Sequence, residues 1–227
     1  MWLTDSSIGR KVVMSVSGAA LVLFLTFHMA MNLVYIFSDE GYNKVCEFLG
    51  TNWYALAGTA ALAFLVVVHF IYAFILTIQN RKARGNVRYE ITGKQPVGFA
   101  AKNMLVLGII IICGLFFHLY HFWYNMMFAE LAESARQFEA TDGAAWITFQ
   151  FSHSGVCVIY AIWFAALWYH ITHGIWSSMQ TLGLSGKVWL NRWICTSKIW
   201  ATIVALGFLA VMVAGIVKAG GFTGGLF

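Results

Sequence analysis

Five long, mostly apolar runs leave this chain few folds to choose from: roughly 11–37, 53–79, 100–128, 145–179 and 198–218. A hydrocarbon core of ~30 Å is crossed by about 20 helical residues. With no water there to satisfy the backbone, such runs must be helical. Apolar residues make up 60% of 227 and charged residues 10%, more apolar surface than a water-soluble domain of this length can hide. The expectation is an all-α integral membrane protein, a single membrane domain over 1–227 with five transmembrane helices. Arg10 and Lys11 precede the first run, which is too long for a signal-peptide core and lacks a small-x-small cleavage site. The first run therefore reads as a retained span.

The charges lie between the runs and give a direction. Arg81, Lys82, Arg84, Arg88, Lys94 and Lys102 face one acid, Glu90, in the second connection. Glu130, Glu133, Glu139 and Asp142 outnumber Arg136 in the third, whereas Lys187, Arg192 and Lys198 fill the fourth without an acid. Eleven basic residues fall on the side of the N-terminus and three, Lys44, Arg136 and Lys218, on the other. The positive-inside rule puts the N-terminus in the cytoplasm and the C-terminus outside. The net charge of +5 thus reports topology and a cytoplasmic docking face, and no nucleic-acid partner is expected.

Four histidines sit well inside the apolar runs, where an ionisable side chain is costly and by default functional. His28 lies nine residues and His118 ten residues before the outer ends of the first and third runs, so ~14–15 Å deep. His69 and His170 lie ten and nine residues before the cytoplasmic ends of the second and fourth, at the same depth from the other side. They sort into an outer pair, His28 with His118, and an inner pair, His69 with His170. Two imidazoles on facing helices can clamp a haem iron from both sides, filling its coordination sphere so that it carries electrons. Bundle-core metal sites are built in this way, from side chains projecting inward off facing helices.

His121 and His173 stand three residues after His118 and His170 and share their faces, so spacing alone leaves the neighbours open. Depth favours His118. Gly18 and Gly108 each precede a histidine by ten residues; a missing side chain there lets a flat macrocycle, or an adjacent helix, lie against the backbone. His153 and His173 fit interfacial positions as well as functional ones. Zinc or copper is disfavoured because no cysteine or carboxylate stands beside the four histidines. Cys46, Cys113, Cys157 and Cys195 show no CxxC pairing and read as small buried residues. Two other readings compete: a haem-b subunit of a hydrogenase or formate dehydrogenase, and a haem-free transporter or structural protein with histidines in a cavity or packed core. The lack of acids and proline breaks within the runs argues against a transporter.

The segments SVSGAALVLFLTFHMAMN, VVHFIYAFILTIQNRKAR, GIIIICGLFFHLYHFW and WYHITHGIWSSMQTLG resemble the di-haem cytochrome b membrane anchor of succinate dehydrogenase and fumarate reductase, in its single-subunit, five-helix type. The resemblance covers the first four spans in order, and HGIWSSMQTLG and QNRKAR are its most specific stretches. It implies that His28 and His118 hold an outer haem b, that His69 and His170 hold an inner one, and that the first four transmembrane helices form the haem-binding bundle. The family's glycine ten residues before its third ligand matches Gly108 and selects His118; a glycine four after the fourth matches Gly174. It also implies an iron–sulfur subunit and an FAD-bearing flavoprotein on the cytoplasmic side, menaquinone as electron partner, and a multi-pass place in the inner (cytoplasmic) membrane. A dimer of heterotrimers is compatible with it. The activity belongs to the complex, since no residue of this chain is expected to be catalytic. Glu47 is the nearest match to the acidic residue that some members place at the quinone site. Where some members carry a glutamate two residues before the fourth ligand, this chain has Trp168, which removes the residue a proton path there would need.

Overall fold

The computed structural model describes residues 6–50, 52–85 and 98–227. Arg88, Glu90, Lys94 and Pro96 lie outside the described residues. All regular structure among those described is helical: α1 (Ser7–Phe37), α2 (Asp39–Gly50), α3 (Trp53–Arg84), α4 (Phe99–His118), α5 (Met127–Leu131), α6 (Gly143–Phe151), α7 (Ser154–Thr181) and α8 (Trp189–Lys218). Five helices, α1, α3, α4 with its continuation, α7 and α8, are long and apolar enough to cross a bilayer. The protein is a multi-pass membrane chain, all-helical among the described residues, whose surroundings are lipid. Leu23, Phe64 and Val217 point outward at about 70% exposure, as expected of helices whose outer face meets hydrocarbon rather than water.

The ends of the helices are set by local chemistry. Ser6 caps α1 by accepting from the Gly9 amide at 2.9 Å. At its far end Ser38 turns extended, and its hydroxyl accepts from the Gly41 amide to start α2. Asp39 and Glu40 in the first turn of α2 suit the positive end of its dipole. Gly85 closes α3 at φ 71°, a left-handed value that favours glycine.

The third and fourth runs depart from uninterrupted spans. α4 passes after His118 into one π-helical turn, Leu119–Trp123, and the chain then bends before the short α5. The run expected to continue to 128 therefore leaves the long helix at Trp123. The run expected over 145–179 is two helices, α6 and α7, separated at Ser152 and His153. Its apolar residues are continuous, so composition does not show the break. What permits it is the C-terminal segment, whose Gly225 and Leu226 carbonyls accept from the Ser154 and Gly155 amides at 3.0 and 2.9 Å. Backbone from elsewhere in the chain satisfies the free end of α7 without a side-chain cap. The fifth span also starts earlier than expected, at Trp189 instead of 198.

α1 and α7 are the central helices. α1 packs against α3, α7 and α8, and α7 packs against α4 and α8 as well. A core of Tyr35, Phe151, Tyr160, Phe164, Val211 and Met212 fills the end of the bundle where α1, α6 and α8 converge. Tyr35 is fully buried; its hydroxyl meets Thr148 Oγ1 at 2.7 Å, its carbonyl accepts from Lys218 Nζ at 2.6 Å, and that ammonium lies 4.0 Å from its ring centroid. One residue thus ties three helices together.

Candidate functional site

The four span histidines come together in two pairs, each across a diagonal of the bundle. His28 on α1 faces His118 at the end of α4 with ring centroids 5.9 Å apart and planes at 82°. His69 on α3 faces His170 on α7 at 6.3 Å and 68°. Neither α1 with α4 nor α3 with α7 is a closely packed helix pair, so the side chains reach across between helices. The level of each pair follows from a glycine. A Cβ on Gly18 would lie 3.0 Å from His69 Cε1, so the inner pair stands beside Gly18. Gly18 is ten residues from His28, which separates the two pairs by ~15 Å along α1.

Each ring has a defined surrounding. His28 stacks on Phe24 at 5.5 Å and lies 5.8 Å from Phe208. Asn32 donates to the His28 carbonyl at 2.8 Å, approaches His28 Nδ1 at 3.5 Å, and accepts from the Tyr42 hydroxyl at 2.9 Å. Tyr42 lies on α2, outside the spans, where burial holds its phenol pKa well above the ordinary value. His118 Nδ1 sits 3.1 Å from Tyr160 Oη, with the Trp163 ring 5.6 Å away. Trp163 is held by a bond from Nε1 to the Ile111 carbonyl at 3.0 Å, lying over Gly114, where a Cβ would collide with the indole. His69 Nδ1 sits 3.2 Å from Ser17 Oγ. His170 Nδ1 is buried without a partner. The partners seen on these rings are at Nδ1 for His28, His69 and His118, and His69 also bonds the Met14 backbone.

This donor set fits a metal held by two imidazoles and completed by a cofactor. Two rings bonding one ion at ~2.0–2.1 Å each bring their centroids to ~6 Å. Among the described residues no group of three or more His, Cys, Asp and Glu is placed to hold an ion, so a metal here needs further donors from outside the chain. A porphyrin supplies four. A Cβ at Gly108 or at Gly174 would meet nothing within 4 Å, so helix packing demands neither glycine.

The other histidines are placed differently. His121 lies in the π-helical turn with Nδ1 2.8 Å from the Phe117 carbonyl. His173 rests edge-on against Trp176, and His153 Nδ1 meets the Phe149 carbonyl at 2.9 Å. Neither His121 nor His173 is in ring contact with a histidine of another span. Glu47 is exposed on α2. It does not line the cleft of about 590 Å³ at that end of the bundle, which is bounded by Asp39, Asn43, Asp142, Thr148 and Thr223 among others. Sequence reasoning passed over Ser17, Tyr160 and Asn32. The available signal was a hydroxyl or amide inside an apolar run, here within five residues of a glycine or histidine, or ten before one.

The fold and site define a five-span membrane protein with two transverse histidine pairs. Comparison with protein-family profiles, curated proteins and solved structures finds no match for this chain.

Proposed function

We propose that this chain is the membrane anchor and electron-conducting subunit of a succinate:menaquinone or menaquinol:fumarate oxidoreductase, holding two haems b. The observation that carries the reading is the pair of facing histidines at each of two levels ~15 Å apart on alternating spans. Haem b held by these imidazoles would supply one-electron chemistry. His28 and His118 hold the outer group, and His69 and His170 the inner one. Tyr160, Ser17 and Asn32 orient their rings, and Phe24, Phe208 and Trp163 keep water from them. The N-terminus lies in the cytoplasm, and the basic cytoplasmic connections bind an iron–sulfur subunit that carries a flavoprotein. The chain resides in the inner membrane. Menaquinone approaches the outer pair from the cleft beside α2 and α6, whose volume falls in the range of small-molecule sites.

The test is purification of the chain with whatever binds it, followed by a reduced-minus-oxidised spectrum, a haem assay and a fumarate-reduction assay. Two b-type haems per chain with a fumarate-reducing flavoprotein are expected. Haem with a hydrogen- or formate-oxidising partner would move the chain to another respiratory complex, and absence of haem would end the proposal.

A further inference from the structure

The inner pair is asymmetric. His170 Nδ1 is buried and unpartnered, whereas His69 is held on α1 by two adjacent residues. Ser17, 3% exposed, places its hydroxyl 3.2 Å from His69 Nδ1, and Gly18 lets the same edge of the ring approach the α1 backbone. Ser17 Oγ also donates to the Met14 carbonyl at 3.1 Å. A serine hydroxyl has one proton. With that proton committed to Met14, the oxygen offers His69 only lone pairs, and the contact at Nδ1 is then an N–H donated by the ring.

We infer that Ser17 is a positioning residue that fixes His69 as the Nδ1–H tautomer and so leaves the Nε2 lone pair as its metal-bonding atom. This rests on the haem reading above. An acceptor at the far nitrogen also makes an imidazole a stronger donor, as the outer partners of metal-bound histidines do generally. A stronger donor favours the ferric state, so Ser17 lowers the reduction potential of the inner group relative to one whose ligands lack such a partner.

The experiment is a redox titration of the full chain, with its partners, monitored at the b-type bands and by low-spin ferric electron paramagnetic resonance. The variants are Ser17→Ala, Ser17→Cys and, as a control with no hydrogen bond to a histidine, Ser15→Ala. His69→Ala, which removes the inner group, identifies the inner component. Expected is a shift of that component alone to more positive potential in Ser17→Ala, about tenfold in the one-electron equilibrium, or about 59 mV. Ser17→Cys, similar in size with a weak acceptor, falls between, and Ser15→Ala does not move. If Ser17→Ala loses the inner haem, an intermediate potential in Ser17→Cys still supports the inference, and a wild-type potential there overturns it. An unmoved inner component in Ser17→Ala, or a shift in the outer one, overturns it too. No b-type absorbance in the unaltered chain overturns the haem reading and this inference together, whereas two haems with unmoved potentials overturn this inference alone.

Discussion

Replacing Gly18 by alanine asks how tightly the inner pair is registered against α1. The added Cβ lies 3.0 Å from His69 Cε1 and 3.5 Å from Nδ1. Carbon atoms pack at ~3.5–4.0 Å, so the ring must retreat by ~0.5–1 Å. Overpacking of that size costs ~1–3 kcal/mol, offset by up to ~1 kcal/mol of helix propensity gained in going from glycine to alanine. The strain falls on a ring whose bond to a metal tolerates only ~0.5 Å of displacement. On the haem reading proposed above, retention of the inner group should therefore weaken by roughly tenfold, which corresponds to ~1.4 kcal/mol. The outer pair, ~15 Å further along the same helix, should be untouched. The assay is loss of each b-type component to excess apomyoglobin, followed at the two resolved bands. Equal retention of both haems in Gly18→Ala, or preferential loss of the outer one, would refute the reasoning.

Gly108→Leu should lower inner-haem content without lowering thermal stability of the haem-free chain, because a Cβ there meets no protein atom within 4 Å; a drop in both would show a packing role instead. Tyr35→Phe removes one hydrogen bond, to Thr148 at 2.7 Å, and should cost ~1 kcal/mol in detergent unfolding. Tyr35→Ala should cost ~3–5 kcal/mol, and equal effects of the two would mean that the buried ring contributes nothing. Cys46 lies outside the spans, where burial pushes its thiol pKa from 9.0 to about 11. As a raised thiol pKa keeps the neutral form, its thiolate fraction at pH 8 falls to ~1/1,000, and alkylation in the folded protein should run ~100-fold slower than in the unfolded chain. An alkaline phosphatase reporter joined after Phe227 should be active and one joined after Gly85 inactive; the reverse would invert the topology.

The spans were readable because hydrophobic length is a strong signal and because the charges gather between the runs. Their ends were less so. The break at Ser152 and His153 depends on carbonyls more than seventy residues later, Gly225 and Leu226, and no local property of WITFQFSHSGV marks it. The π-helical turn after His118 is equally silent, since LYHFW is apolar and aromatic like the residues before it. These shifts alter the depth count: His118 stands five residues from Trp123 instead of ten from 128, and His69 fourteen from Ala83 instead of ten from 79. The grouping into His28 with His118 and His69 with His170 still matches the ring contacts. Boundary errors move a residue's absolute depth by one or two turns, whereas the levels differ by nearly three. The hydroxyl partners were not readable, because Ser17 and Tyr160 become relevant only once α3 and α4 are docked beside α1 and α7.

The separation of the rings also bears on what can occupy the space between them. A direct N–H···N hydrogen bond of ~2.9 Å would draw imidazole centroids to ~5 Å. A water bridging two nitrogens at ~2.8 Å each and at a tetrahedral angle would hold the centroids at ~6.3 Å. The observed 5.9 and 6.3 Å exceed the direct bond and suit a single bridging atom, a metal ion or a water. Edge-to-face packing alone permits ~4.5–7 Å, but it makes no use of the ring nitrogens. His170 Nδ1 would then stay unsatisfied and buried, at ~1–3 kcal/mol. An ionisable ring in a membrane core where phenylalanine would serve is costly by default, and its recurrence at two levels is the support for the metal-bonding reading proposed above. A chain in which all four were replaced by phenylalanine should consequently insert and fold at least as stably as the unaltered apoprotein while taking up no haem; a folded variant that still bound haem would place the ligands elsewhere.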